Sequence, residues 1–297
     1  MAVHTGAVVV GYDGSSEGGA AVDWAAAEAS RRGKPLVVLH AAAYMQPSVA
    51  IAGAAGWLPE VAEEAAQKVA QEGAERARKS ATGITVEAKA DLRGAPAAMQ
   101  ALSKEAAVVV VGNRGLGRVG GVLLGSVAFA VSAHANSPVV VVRGKSEQLP
   151  GPSRPIVVGI DGSESSNGAL DRAADLAAET GAELRVAIAW EAPPADPWSN
   201  AYLVNTNAHE DAIREERQAA TALAEQAADR VSSRQPGLVV QQLVQEGQPE
   251  HVLAEASSDA GLVVVGARGR GDLASLLLGS VSRGVIHRSE CPVEIVR

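Results

Sequence analysis

Asp13 and Asp161 each follow a run rich in valine and isoleucine and precede Gly-Ser, which sets a carboxylate at the carboxyl end of a buried strand. Such a carboxylate could accept hydrogen bonds from a base amino group or a ribose hydroxyl, or share a divalent cation with phosphates; it also suits a helix cap or an Asx turn. The second constellation is a glycine-laced loop written twice. VVVGNRGLGRVGGVLLGSV, from Val109 to Val127, and VVVGARGRGDLASLLLGSV, from Val263 to Val281, agree at 12 of 19 positions. In each, a strand ends, glycines remove side-chain bulk and permit positive φ, and a helix begins at Gly125-Ser126 or Gly279-Ser280. Unpaired N–H groups and the positive end of a helix dipole then face one space, for which a phosphate chain is the natural occupant. The same glycines would also serve a merely tight loop, with Ser126 capping its helix, but the repetition of their spacing favours binding.

Competing motifs fail on position. Gly115, Gly117 and Gly120 spell G-x-G-x-x-G, and Gly269, Gly271 and Ala274 its G/A form, yet that fingerprint belongs after the first strand of a unit with an acid about 20 residues further on. Here it follows the fourth strand. The pattern G-x-x-x-x-G-K-[ST] is absent. No Ser-His-Asp order, H-E-x-x-H or pair of carboxylates on one helix face is present, so no catalytic residue is assigned. His40 reads as a polar residue at a strand end, and Cys291, the only cysteine, as a small buried hydrophobe.

These loops need elements to hold them. The 297 residues allow about two domains, and the halves repeat: Val8 to Ala26 returns as Ile156 to Ala174, and Ser137 to Arg143 as Cys291 to Arg297. Pro150, Pro152 and Pro155 mark the joint, giving domains 1–147 and 156–297 with a linker at 148–155. Within the first half, strands are predicted at 7–12, 36–41, 84–90, 108–111 and 139–143. Helices are predicted from Ser15 or Ser16 to about 32, at 61–79, from Pro96 to about 105, and at 126–134. The helix at 61–79 offers a small-residue face of Ala62, Ala65, Ala66, Val69, Ala70, Gly73 and Ala77. Alternating strands and helices predict an α/β fold, an open five-stranded parallel sheet in each half with helices on both faces. If strand 4 adjoins strand 1 across the switch point, the loops after both face one crevice.

Composition narrows the partners. The formal net charge of −8 and the 3% aromatic content argue against nucleic acid, and no apolar stretch approaches the roughly 20 residues of a membrane span. A cytoplasmic chain is expected. The long connections at 43–59 and 191–208, which carry Trp57 and Trp198, read as lids, contact surfaces or mobile segments.

The full spacing, Gly112-Asn-Arg-Gly115, nine residues, Gly125-Ser126, and again Gly266-Ala-Arg-Gly269, nine residues, Gly279-Ser280, resembles the ATP-binding loop of the universal stress protein family in its tandem form. The resemblance covers nearly the whole chain. It implies two Rossmann-like (adenine nucleotide alpha hydrolase-like) domains and an ATP site in each. Asp13 and the backbone of Ala41 would lie near adenine, Gly112 near ribose, and Gly115, Gly125, Ser126 and Val127 along the phosphates. Asp161, Ala189, Gly266, Gly269, Gly279, Ser280 and Val281 match these positions in the second half. Gly11, Arg114, Gly159 and Arg268 complete the two expected sites. The resemblance allows Mg2+ or Mn2+ beside the phosphates, and a pseudo-dimer of the halves through Val139 to Arg143 and Val293 to Arg297, with a homodimer as a further option. The function it implies is ATP-dependent regulation during stress. A slow ATPase or phosphotransferase and a nucleotide-independent partner protein are the alternatives. His40-Ala41-Ala42 against Ile188-Ala189-Trp190 predicts unequal adenine pockets.

Overall fold

The structure is a computed structural model, and it describes residues 5–42, 59–115, 124–143, 149–194, 206–271 and 278–297. The connections around Trp57 and Trp198, and Gly117, Gly120 and Ala274 of the dinucleotide-like motif, lie outside the described residues. Two compact units emerge, one of Met1–Leu149 with Cys291–Ile295 and Arg297, the other of Pro150–Glu290 with Val296.

The first unit runs β1 (Val8–Gly11), α1 (Ser16–Arg32), β2 (Leu36–Ala41), α2 (Pro59–Ser80), β3 (Val86–Asp91), α3 (Ala95–Leu102), β4 (Val108–Gly112), α4 (Ser126–His134) and β5 (Val139–Val142). Its parallel strands are ordered β3-β2-β1-β4-β5, and β1 pairs with β4 through Val8↔Val108. The chain therefore moves one way from β1 to β3 and returns through β4. Right-handed crossovers put α1 and α2 on one face of the sheet and α3 and α4 on the other. The runs Val8 to Val10 and Val108 to Val111 are buried, as strands covered on both faces require. Ser15 caps α1 by accepting from the Gly18 N–H at 3.0 Å, and Gly33 closes it at φ 60°. The corner between β1 and α1 needs Gly14, whose φ is 85°.

The second unit repeats the plan with β6 (Ile156–Gly159), α5 (Glu164–Thr180), β7 (Leu184–Trp190), α6 (Thr206–Arg234), β8 (Val240–Glu246), α7 (Pro249–Ala256), β9 (Leu262–Gly266) and α8 (Ser280–Arg288). Its strands are ordered β9-β6-β7-β8. The last strand, β10 (Val293–Val296), is the fifth strand expected of the second half: Val296 O accepts from the Ala267 N–H at 2.7 Å, as Val142 O accepts from the Asn113 N–H in the first. It runs antiparallel to β5, with Val293↔Val141 and Ile295↔Val139, and Cys291–Ile295 belong by packing to the first unit. No helix among the described residues is long and apolar enough to cross a membrane.

On α2 the small-residue face is shifted slightly from its expected course. Ala66, Ala70, Ala74 and Ala77 are buried while Ala65 is exposed, because the helix turns 100° per residue and positions 66, 70, 74 and 77 form the stripe. Arg76 of α2 grips Asp23 of α1 at 2.5 Å, and Arg230 of α6 grips Asp171 of α5 at 2.6 Å, which aligns the two helix pairs. This alignment matches Gly73 with Ala227 and, at the strand end, Tyr12 with Ile160. A Cβ at Gly73 would stand 2.6 Å from Tyr12 Cδ1 and 2.8 Å from Val38 Cγ1. The larger ring in one repeat is thus matched by the missing methyl. Gly73→Ala should lower stability by about 1–2 kcal/mol, since overpacking outweighs the gain in helix propensity. Adding Tyr12→Ile should restore the loss, because the pair then reproduces Ile160 and Ala227; urea unfolding midpoints of the two variants check this.

Candidate nucleotide site

The carboxyl ends of β6 and β9 lie side by side, with β6 pairing β9 through Val158↔Val264. Over them opens a cavity of about 410 Å³, within the range of small-molecule sites. All nine expected positions of the second half line it: Gly159, Asp161, Ala189, Gly266, Arg268, Gly269, Gly279, Ser280 and Val281. The sequence reading missed its apolar floor, formed by Ile160, Ala187 and Val265 with Pro249 and Leu253 of α7, and the polar Ser166, Arg270 and Ser282. Pro249 at the start of α7 and Leu253 one turn later were the available signal.

The aspartate is an anchor for the glycine loop. Asp161 Oδ1 accepts from the Ser163 N–H at 3.0 Å, which is the Asx turn, and Oδ2 accepts from the Arg270 N–H at 3.0 Å. Burial opposes its charge, but hydrogen bonds from Ser163, Ser166 and the Arg270 N–H outweigh that penalty and hold the carboxyl below the usual carboxylate range. Asp13 makes the same turn, accepting from the Ser15 N–H at 3.0 Å and the Ser15 hydroxyl at 2.5 Å.

The loop glycines divide into two kinds, and none of the described ones adopts the positive φ expected of them. Gly266 is pressed against α5, where a Cβ would stand 2.5 Å from Ser165 Oγ and 2.8 Å from the Ser165 carbonyl carbon. Gly112 meets α1 in the same way, 2.9 Å from the Glu17 carbonyl oxygen. A Cβ at Gly269 would stand 2.5 Å from Asp161 Oδ2, and one at Gly115 would press on Asp13 Oδ2. Gly159 and Gly11 give way to Leu253 and Met99, at 2.8 Å and 3.0 Å. Packing against backbone holds Gly112 and Gly266 to glycine, while at the other four a Cβ would have to displace a side-chain end.

Gly125 and Gly279 are less confined. They are the N-caps of α4 and α8, at φ −60°, ψ 144° and φ −63°, ψ 156°, where any residue can stand. Among the described residues a Cβ would come no closer than 3.3 Å, to Asn113 O, at Gly125, a tight contact, and 3.5 Å, to Ala267 O, at Gly279, an ordinary one. Ser126 and Ser280 therefore sit one residue inside their helices rather than capping them, and neither helix start receives a side-chain hydrogen bond. Gly125 N–H donates to Asn113 O and Gly279 N–H to Ala267 O, both at 2.9 Å, which brings each loop's end back to its beginning. Ser282 Oγ donates to Gly266 O at 2.6 Å and ties α8 to the strand end.

In the first unit Gly11, Asp13, Ala41, Gly112, Arg114, Gly115, Gly125, Ser126 and Val127 occupy the corresponding ends of β1, β2 and β4 and the start of α4. Its rim is more charged. Glu17, which stands where the second unit has Ser165, is held below the usual carboxylate range by a hydrogen bond from Ser16, with the charge of Arg114 adding to it. Burial, with Arg114 nearby, pushes the Arg143 guanidinium below its ordinary value. His40 Nδ1 lies 2.8 Å from the Tyr12 carbonyl oxygen, where the second unit has Ile188 and Ile160. Among the described residues no group of three His, Cys, Asp or Glu side chains gathers to hold a metal. A divalent cation would thus depend on phosphate oxygens and at most one or two carboxylates, as Mg2+ commonly does.

Comparison with known proteins places this geometry. The model of the universal stress protein family matches residues 5–143 and again 152–297. A universal stress protein of Mycolicibacterium smegmatis is 34% identical over 302 residues, covering 98% of this chain and 96% of the relative. One from Mycobacterium tuberculosis is 35% identical over 305 residues, with the same coverages of 98% and 96%. The crystal structure of a universal stress protein from Archaeoglobus fulgidus shares the fold, with a TM-score of 0.69 at 20% identity over 99% of this chain and 96% of that one.

Proposed function

Because the chain belongs to the universal stress protein family and carries its domain twice, we propose that each unit binds one ATP at the carboxyl end of its sheet, and that occupancy regulates the chain's interactions during stress. The domains on this reading are 1–147 and 156–297, joined by 148–155, and the chain works in the cytoplasm. One observation carries the proposal. Gly125 and Gly279 stand where a capping Ser or Asp would be favoured, and among the described residues a Cβ would meet nothing closer than 3.3 Å at the first or 3.5 Å at the second. A helix start left open in both repeats is explained by an anion that docks on it, the phosphate chain supplying what the side chain omits.

The rest of the cavity suits an adenine nucleotide. Leu253, Val265 and Ile160 offer an apolar bed for a flat base, and Asp161 offers a carboxylate acceptor to an amino or hydroxyl group. Ser280 and the N–H groups of the first turn of α8 face the phosphate end, with Arg268 and Arg270 at the rim. Bound Mg2+ or Mn2+ would neutralise phosphate charge there. On this reading the residues of this chain bind and orient the nucleotide, and regulation rather than turnover is the function proposed.

Isothermal titration of nucleotide-stripped protein with ATP is expected to show two binding events per chain, of unequal affinity because Tyr12, Glu17 and His40 replace Ile160, Ser165 and Ile188. Absence of ATP binding would sink the proposal.

A further inference from the structure

The two repeats treat their outer sheet edges in opposite ways. In the first unit β3 is the edge, and its outward backbone groups are covered by α2. Gln67 donates to Ala88 O and accepts from the Ala90 N–H, both at 3.1 Å, and Arg78 donates to Val86 O at 2.8 Å. The strand itself, VEAKAD, carries three charges. Both are devices that stop an edge from pairing with another chain.

The second unit lacks both devices. The register Leu36↔Val86 and Leu184↔Val240 makes Val240, Gln242 and Val244 the counterparts of Val86, Ala88 and Ala90. The helix alignment replaces Gln67 with Thr221, whose hydroxyl bonds its own helix at Arg217 O, and Arg78 with Ser232. Among the described residues nothing bonds the outward groups of Val240, Gln242 and Val244. The strand VQQLVQE has a single charge, at its end, and its Gln241 and Gln242 are exposed.

We propose that β8 is a self-association edge, and that a second copy of this chain pairs with it antiparallel about a two-fold axis at Gln242. The outward groups of Val240, Gln242 and Val244 are symmetric about that residue, with those of Glu246 beyond them at the strand end. Gln242 would face Gln242 of the other copy and Val240 would face Val244, each pair exchanging two N–H to O=C bonds, so the open donors and acceptors of these three residues find their match. The centre of the strand carries no charge to repel its copy. This inference is independent of nucleotide binding.

Sedimentation equilibrium of the full chain without nucleotide tests it. The wild type is expected to dimerise reversibly. Gln242→Lys sets two like charges opposite each other and should weaken the dimer at least about fivefold. Thr221→Gln/Ser232→Arg transplants the cap of β3 and should also favour the monomer, which keeps the test available if either variant does not fold. Circular dichroism identifies the folded variants. A wild type that stays at the 30.2 kDa of one chain throughout the micromolar range, or a dimer that a folded variant leaves intact, overturns the proposal.

Discussion

Gly279→Asp is expected to abolish useful ATP affinity in the second unit while leaving the unliganded protein as stable as before or slightly more so. Gly279 already has N-cap geometry, and a Cβ there stands 3.5 Å from Ala267 O, an ordinary contact. An aspartate can therefore enter without strain and accept from the open N–H groups of α8, which adds a few tenths of a kcal/mol over glycine plus a favourable interaction with the helix dipole. Its carboxylate occupies the position proposed for phosphate. Losing one or two charge-assisted hydrogen bonds and gaining like-charge repulsion should cost about 3 kcal/mol or more, a loss of at least about 100-fold in affinity. The opposite signs are the diagnostic feature, and thermal unfolding without nucleotide together with calorimetric titration reads both. Gly266→Ala makes the contrast. Its Cβ would strike Ser165, so it should damage the fold itself. A Gly279→Asp protein that melts several degrees lower yet binds ATP normally would show that the glycine serves the fold after all.

The second large effect is on stability and lies far from the glycine loop. Glu28 on α1 is 4% exposed and is charged, because Arg31 reaches it with two hydrogen bonds, at 2.9 and 2.8 Å, and Arg32 with another. Burial opposes that charge, and the hydrogen bonds and charges of Arg31 and Arg32 outweigh it, holding the carboxyl below the usual range. Glu28→Ala should cost about 3–5 kcal/mol, since it leaves two guanidinium groups without the buried anion that faces them. The pH dependence has a definite sign. A carboxyl whose folded pKa is depressed contributes fully above its unfolded value, near about 4.3, and the contribution is lost as pH falls through the folded pKa. Below about pH 4.3 the wild type should therefore lose stability more steeply than Glu28→Gln, in urea unfolding followed as a function of pH.

Much of the scaffold was legible in the residues because it rests on short-range periodicity. Val8 to Val10 and Val108 to Val111 are apolar without alternation and became strands buried on both faces; Ser15, Gly33 and the prolines at the starts of α3 and α7 marked helix limits. The pairing of β1 with β4, a condition in the sequence reading, is what the structure shows. What local pattern could not carry was the reason for each glycine. Gly266 and Gly279 look alike in sequence, yet a Cβ would strike Ser165 of α5 at the first and make only ordinary contacts with the described residues at the second.

By itself, then, the sequence determined two copies of an α/β plan and, through its repeated glycine spacing, the loops and aspartates expected at one end of each sheet. These follow from hydrophobic period, turn residues and internal repetition, all of which act within a few residues along the chain. Only the tertiary structure decided how tightly each described glycine is held, that Asp161 straps the loop after β9 to the end of β6, and that Gln67 and Arg78 cover β3 while no described residue covers β8 in the same way. Each of these depends on a close approach between groups far apart in the chain. A side chain's reach across that gap is set by packing in three dimensions, which no local pattern records.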